Sequence, residues 1–216
     1  GLHSPFRIVD CIEKALNSSI IEGLKYERDA FIDCLNTPQR EGLVHAFFAE
    51  RKSSKVPEAG RAAPRQLEHL GVIGGGTMGS GITLAALKSG MQVTMVEQDS
   101  DSIARGIQNV EKVLNRDISK GRLDLSGKAE IMGRYTPTTD FQNIAEVDMV
   151  IEAVFEEMEV KKAVFKKLDN VVRQGAVLAS NTSYLDIDEI ASATKRPRDV
   201  IGLHFFSPAN IMKLLE

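Results

Sequence analysis

The fold of this 216-residue chain is indicated by one stretch, Leu70-Gly71-Val72-Ile73-Gly74-Gly75-Gly76-Thr77-Met78-Gly79. An apolar run is followed at once by three glycines in the spacing Gly-x-Gly-x-x-Gly, at Gly74, Gly76 and Gly79. In such a motif the first glycine permits a tight strand-to-helix turn, the second lets the backbone approach a pyrophosphate, and the third lets the helix pack closely on the strand. The helix would begin at Thr77 and Met78, where free N–H groups favour an anion. The stretch therefore predicts a dinucleotide-binding loop.

An acidic residue stands where this motif expects one. Glu97 ends a second β-branched run, 18 residues after Gly79. A carboxylate at this position is expected to contact the ribose hydroxyls of a dinucleotide and to repel the 2′-phosphate of NADP. The sequence therefore favours NAD over NADP, while FAD, which uses the same fingerprint, stays open.

Beyond this motif, short apolar runs alternate with helical stretches, as in a parallel sheet covered on both faces. The patterns predict strands at 67–73, 92–96, 147–153, 176–180 and 200–204, and helices at 77–89, 99–119, 158–173 and 187–193. Residues 121–135 are expected to form a helical hairpin. The predicted fold class is a Rossmann-type, doubly wound α/β domain with a mainly parallel sheet over residues 67–216.

The residues before this domain have helical periodicity. Over 1–52, apolar residues recur at helical spacing, and Thr37-Pro38 is typical of a helix start. Pro, Gly, Ala and Ser then accumulate over 53–66, which indicates a linker. Cys11 and Cys34 lack metal-ligand or redox spacing and are interpreted as reduced packing residues.

Composition narrows the class of protein. The chain is 43% hydrophobic and 26% charged, which is typical of a globular protein, and 27 basic against 30 acidic residues give a net charge of −3. Without a basic surplus, neither nucleic acid nor an anionic membrane is an expected partner. No stretch has the pattern of a signal peptide or a membrane span, so we expect a soluble intracellular protein. Both ends of the chain are expected to be cut from a longer protein.

Four motifs in order carry a family resemblance. They are Gly74–Gly79, Val150–Glu156, Ser180–Ser183, and His204-Phe205-Phe206-Ser207-Pro208 continuing through Met212–Glu216. Over residues 67–216 the chain resembles the NAD-binding domain of L-3-hydroxyacyl-CoA dehydrogenases. The resemblance implies NAD-dependent oxidation of a 3-hydroxyacyl-CoA to the 3-ketoacyl-CoA in fatty-acid β-oxidation, with no metal. It also implies a following helical domain, apparently missing here.

The preceding residues 1–66 resemble the join between a hydratase-like part and the dehydrogenase part of peroxisomal bifunctional enzymes. This narrower resemblance implies a preceding hydratase-like domain and a peroxisomal location. It also implies that the chain is one part of a multifunctional enzyme.

The candidate catalytic residues are His204, Glu216 and Ser183. His204 is predicted to lie at the end of a β-branched strand, on the carboxyl edge of the sheet, where an imidazole can accept the 3-hydroxyl proton. Pro208 favours a turn that would bring Glu216 back alongside, and the resemblance implies that Glu216 is the partner of the histidine. It also implies that Ser183 contacts the substrate.

The resemblance implies that Glu156, Lys161 and Asn181 contact the cofactor. The residues alone leave simpler interpretations open: helix-start or surface charges for Glu156 and Lys161, and a loop-setting role for Asn181. Two other functions also remain open at this point. One is a non-catalytic dinucleotide-binding module, and the other is a dehydrogenase of small 3-hydroxy acids, which His-Phe-Phe-Ser-Pro disfavours.

Overall fold

A computed structural model describes residues 1–53, 55–57, 60 and 62–216, and the chain divides into two compact units, Gly1–Pro64 and Arg65–Glu216. Four residues of the predicted linker (54, 58, 59 and 61) lie outside the described residues. No helix in the described part of the chain is long and apolar enough to cross a membrane.

The N-terminal unit contains three helices: α1 (Ser4–Leu16), α2 (Ile20–Leu35) and α3 (Pro38–Ser53). Ser19 and Glu22 form a reciprocal capping box that starts α2, so the apolar residues at helical spacing are divided between α1 and α2. Thr37 Oγ1 accepts the Arg40 N–H at 3.2 Å, so the helix start predicted at Thr37-Pro38 is confirmed.

Apolar side chains of these three helices remain exposed. They surround a groove of about 1030 Å³ whose apolar lining includes Ile8, Ile12, Phe31, Leu43 and Phe47. Cys11 and Cys34 are free, half-buried thiols that line the same groove.

The second unit is an α/β domain. Its strands are β1 (His69–Ile73), β2 (Gln92–Val96), β3 (Tyr135–Thr138), β4 (Met149–Glu152), β5 (Val177–Ser180) and β6 (Val200–Gly202). Its helices are α4 (Thr77–Lys88), α5 (Ser100–Ser119), α6 (Leu125–Gly133), α7 (Met158–Val171) and α8 (Ile187–Ala191). The described strands form one parallel sheet in the order β3-β2-β1-β4-β5-β6. The predicted Rossmann-type fold class is confirmed.

Both faces of the sheet are buried. Successive residues of a strand point to opposite sides, so neighbouring apolar residues pack on different faces. On one face, Val72 packs in a cluster with Ile82 of α4 and Leu114 of α5. On the other, Ile73 packs in a cluster with Phe165 of α7. After β1 the chain adds β2 and β3 next to one edge of β1, and it then returns to add β4, β5 and β6 next to the other edge. β1 and β4 therefore flank a topological switch point, where open α/β sheets bind their ligands.

The expectation of a helical hairpin over 121–135 is wrong. Only Leu125–Gly133 is helical, and the chain then adds the edge strand β3, with Val93 in register with Tyr135. Pro137 is tolerated there because an edge strand need not donate all its N–H groups. The strand predicted at 200–204 is also shorter than expected, because β6 ends at Gly202 and leaves His204 in the following loop.

Candidate active site

The three glycines of the loop after β1 have different surroundings. Gly74 has φ +96°, and a Cβ there would lie 2.9 Å from the Ala153 carbonyl oxygen. A Cβ on Gly79 would lie 1.8 Å from the Gly74 carbonyl oxygen. Gly76 is exposed and a Cβ on it would meet nothing within 4 Å. The fold therefore requires Gly74 and Gly79, whereas Gly76 leaves open space above the loop.

That open space lies at the start of α4. Gly76 is the N-cap residue and provides no side-chain cap to the helix, so N–H groups of the first turn lack an intrahelical or capping partner. Thr77 is exposed, while Met78 packs partly against the core. An uncapped helix start beside a glycine without close neighbours fits a pyrophosphate group.

Glu97 closes the loop from the β2 side. Its Oε1 accepts the Gly75 N–H at 2.6 Å and its Oε2 accepts the Gln98 N–H at 3.1 Å. The carboxylate is therefore held beside the phosphate loop, on the side where the motif places the adenosine ribose. Its contact with ribose hydroxyls stays a prediction.

Gly75 has a packing role that the sequence interpretation missed. A Cβ on it would lie 2.7 Å from Met95 Sδ, and one on Gly106 would lie 2.6 Å from Met95 Cε. The two glycines therefore let α5 and the loop close over the methionine. The signal available in the sequence was the middle glycine of the uninterrupted triplet Gly74-Gly75-Gly76, a position that the motif leaves free.

A buried group of charges lies beyond the carboxyl ends of β4 and β5. Glu152 and Lys161 are 0% and 1% exposed, and Lys161 Nζ lies 2.7 Å from Glu152 Oε1 and 3.2 Å from Glu156 Oε2. Glu152 also accepts the Ser180 hydroxyl at 2.6 Å and the Val154 N–H at 2.8 Å. The surface interpretation left open for Lys161 is wrong, because its ammonium is enclosed between two carboxylates.

Glu156 connects this group to the loop after β5. Its Oε1 accepts the Thr182 hydroxyl and, at 2.7 Å, the Ser183 N–H. Partial burial alone would raise the pKa of Glu156, but the hydrogen bonds from Thr182 and Ser183 and the charge of Lys161 outweigh it, so this pKa lies below its usual range. Glu156 therefore remains a carboxylate at neutral pH and holds the Ser183 backbone in place.

Asn181 connects the same loop to the segment after β6. Its N–H donates to the Glu152 carbonyl at 2.8 Å, and its Oδ1 accepts the Phe205 N–H at 2.9 Å. The structure thus shows the loop-setting contacts of Asn181, and its contact with a cofactor stays a prediction. Ser183 is exposed at the surface of this loop.

His204 and Glu216 lie side by side. The His204 N–H donates to the Glu216 carbonyl at 2.8 Å, the Glu216 N–H donates back at 3.1 Å, and Phe205 and Leu215 form an antiparallel bridge. A turn in which the Pro208 carbonyl accepts the Met212 N–H at 3.0 Å reverses the chain between them. The result places His204 Nδ1 3.2 Å from Glu216 Oε2.

The other ring nitrogen of this histidine points to no protein partner. Within the described residues, no hydrogen bond engages His204 Nε2, and the side chain is 27% exposed. The Phe206 ring lies against the imidazole, with centroids 4.7 Å apart. A carboxylate on Nδ1 and a free Nε2 are the arrangement of a general base held in one tautomer.

Sequence reasoning missed Glu152, Ser180 and Thr182. Glu152 carried a usable signal, because a carboxylate in the apolar run Val150-Ile151-Glu152-Ala153 must be paired when the strand is buried. Ser180 and Thr182 carried none, since their hydroxyls matter only through Glu152 and Glu156, which are distant in the sequence.

Comparison with known proteins identifies the family. Residues 69–216 match the family model described as "3-hydroxyacyl-CoA dehydrogenase, NAD binding domain". The chain belongs to this family. The match confirms NAD as the cofactor, which the glycine loop alone left open against FAD.

Similar proteins extend over nearly the whole chain. It is 40% identical over 213 residues to the human peroxisomal bifunctional enzyme and 38% identical over 212 residues to the peroxisomal fatty acid β-oxidation multifunctional protein AIM1 of Arabidopsis thaliana. In both cases the match covers 96% of this chain but 29% of the relative. Among solved structures, 3-hydroxybutyryl-CoA dehydrogenase from Escherichia coli K12 is 38% identical with a TM-score of 0.68, covering 70% of this chain and 32% of that one.

Proposed function

We propose that this chain supplies the NAD-binding part of an NAD-dependent L-3-hydroxyacyl-CoA dehydrogenase that oxidises the 3-hydroxyl to a ketone in fatty-acid β-oxidation. The observation that carries the proposal is the His204–Glu216 pair, at the same sheet edge as the phosphate loop. The Nδ1 of His204 is held 3.2 Å from Glu216 Oε2, and its Nε2 has no hydrogen-bond partner among the residues that the structure describes. A module that only bound a dinucleotide would have no need of a histidine oriented in this way.

The residues that would hold NAD follow the sheet edge. Gly74, Gly76 and Gly79 with the first turn of α4 would bind the pyrophosphate, and Glu97 would bind the adenosine ribose. The nicotinamide half would then lie across the switch point, on the β4 and β5 side. There the candidate contacts are Glu156, Lys161 and Asn181.

When bound, NAD supplies the acceptor for the hydride from C3, so this chain's residues need only orient the alcohol and take its proton. His204 Nε2 would accept the hydroxyl proton, and the Glu216 carboxylate would fix the tautomer and stabilise the imidazolium. The Ser183 hydroxyl would donate to the substrate 3-oxygen. Its position is set through its backbone N–H, which Glu156 accepts.

The substrate needs more surface than this unit presents. A long acyl-CoA thioester requires a cleft with two walls, and such sites commonly form between domains. We propose that a following helical domain provides the second wall, and that a hydratase-like domain precedes this chain. The names of the relatives support this proposal and a peroxisomal location, since they are peroxisomal multifunctional enzymes of which this chain spans under a third.

The test uses a protein that continues past Glu216 and follows NADH consumption with a 3-ketoacyl-CoA. We expect turnover with the CoA thioester and none with the corresponding free 3-keto acid. Turnover of the free acid alone would instead favour a dehydrogenase of small acids. NADH binding without turnover of either compound would favour the non-catalytic module.

A further inference from the structure

The buried charged group beneath the site contains more negative than positive charges. Glu152 and Glu156 contribute two carboxylates, and Lys161 contributes the one ammonium that contacts both. Glu152 is fully buried, with its oxygens bound by Lys161, Ser180 and the Val154 N–H. The ionised group therefore has a net charge of −1.

Only one member of the group reaches the surface. The side chains of Glu152 and Lys161 are 0% and 1% exposed, whereas that of Glu156 is 30% exposed. Burying ions is costly, and a pair of apolar side chains would stabilise the fold at least as well. The second carboxylate, Glu156, holds the Ser183 backbone and also leaves the group with one unpaired negative charge at its partly exposed end.

The group adjoins the dinucleotide loop. The segment that follows Glu152 contacts that loop, because a Cβ on Gly74 would lie 2.9 Å from the Ala153 carbonyl oxygen and 3.6 Å from Val154 Cγ1. Glu97 lies at the β2 side of the loop and takes the adenosine end. The nicotinamide end would then lie over the end of β4, which holds Glu152, and over the following segment, which holds Glu156.

Oxidised and reduced nicotinamide differ in charge, because the ring is positive in NAD⁺ and neutral in NADH. We propose that Glu152 is a positioning residue that, through Lys161, fixes the place and the net negative charge of Glu156, and thereby favours NAD⁺ over NADH at this site. This inference rests on the proposed function, since it requires the dinucleotide to bind in that orientation.

The expected effect follows from Coulomb's law. Removing one unit charge several ångströms from the nicotinamide, in a partly buried site, changes the relative affinity for a cation by about tenfold. The neutral ring of NADH is insensitive to the same change. The ratio Kd(NAD⁺)/Kd(NADH) is therefore the informative quantity, since general loosening of the site weakens both ligands alike.

The experiment titrates the 216-residue chain with NAD⁺ and with NADH by calorimetry. The variants are Glu152→Gln and Glu156→Gln, and the matched control is Glu159→Gln, the same chemical change at a residue of α7 whose side chain is 81% exposed and pairs with Lys162. We expect the Kd ratio to rise about tenfold in the first two variants and to stay at the wild-type value in the control. If Glu152→Gln does not fold, the same rise in Glu156→Gln supports the charge assignment.

A Kd ratio that stays within about twofold of the Glu159→Gln control in both variants would overturn the inference, even though the wild type binds both dinucleotides and the proposed function stands. Wild-type protein that binds neither dinucleotide would instead refute the proposed function and this inference with it. A rise in Glu156→Gln together with an unchanged ratio in folded Glu152→Gln would remove Glu152 from the account.

Discussion

Replacing Gly79 and Gly76 by alanine should separate folding from cofactor binding within one loop. A Cβ on Gly79 would lie 1.8 Å from the Gly74 carbonyl oxygen and 2.8 Å from its carbonyl carbon, so the backbone of loop and helix must move apart to reach the ordinary contact distances that begin at 3.4 Å. At Gly76 the added methyl group would meet nothing within 4 Å. The first substitution tests packing, and the second tests the space above the loop.

The magnitudes differ accordingly. Overpacking costs about 1–3 kcal/mol and sometimes more, against about 1 kcal/mol gained from the better helix propensity of alanine. Because both clashing atoms at Gly79 belong to backbone, we place the overpacking cost at about 3–4 kcal/mol; after the propensity gain, Gly79→Ala should lose about 2–3 kcal/mol, or about 5–10 °C in Tm. Gly76→Ala should change stability by less than about 1 kcal/mol, since it replaces an N-cap glycine. Its methyl group occupies the proposed pyrophosphate site, so NADH affinity should fall about tenfold or more.

The assay combines thermal unfolding by circular dichroism with titration by NADH fluorescence, which the absence of tryptophan simplifies. Gly133→Ala is a suitable control, because a Cβ there also meets nothing within 4 Å and the residue ends α6. Wild-type stability of Gly79→Ala would refute the packing argument. Wild-type NADH affinity of Gly76→Ala would refute the placement of the pyrophosphate.

Three further predictions concern the cofactor, the isolated chain and acid stability. Glu97→Gln should weaken NAD binding and raise the affinity for NADP relative to NAD, measured by fluorescence titration of the two reduced cofactors; an unchanged preference would remove Glu97 from the ribose site. The 216-residue chain alone should bind NADH yet show little turnover of a 3-ketoacyl-CoA, and efficient turnover by it would place the whole active site within these residues. Asp148→Asn should cost about 1–3 kcal/mol at neutral pH, because Asp148 accepts the His69 and Glu68 N–H groups at 2.9 and 2.8 Å and pairs with Arg173. These contacts lower the pKa of Asp148 against the opposing effect of burial, so its contribution to the free energy of unfolding is present above about pH 4 and is lost as the pH falls through the lower native pKa. The free energies of unfolding of wild type and variant, measured with urea, should therefore converge at low pH. A difference that stays constant with pH would contradict this prediction.

The sequence predicted the parts of this fold whose physics is local. The glycine loop could be recognised because Gly79 meets the Gly74 carbonyl five residues earlier in the chain, and because Gly74 adopts a positive φ. The parallel sheet could be predicted because strands alternate with helices, and a helical crossover joins parallel strands. The small strand β3 could not be predicted, since Tyr135–Thr138 has no apolar run and is held by its pairing with β2.

The same distinction between local and tertiary effects applies to the residues of the site. His204 and Glu216 were expected to meet from the turn signal at Pro208 and the family resemblance, and the structure places them 3.2 Å apart. The pairing of Glu152 with Lys161 was not foreseen, because it joins a strand end to the following helix and depends on how that helix packs over the sheet. Burial is a tertiary property, so the sequence alone could not exclude a surface position for this lysine.

Proton transfer by His204 is tested best by single-turnover kinetics of His204→Gln in a protein that continues past Glu216. With NADH and a 3-ketoacyl-CoA, the account predicts a rate of chemistry about 10²–10⁴-fold below wild type, because the general acid–base group is lost, with unchanged NADH affinity. A near-normal rate in this variant would contradict the assignment of the proton transfer to His204.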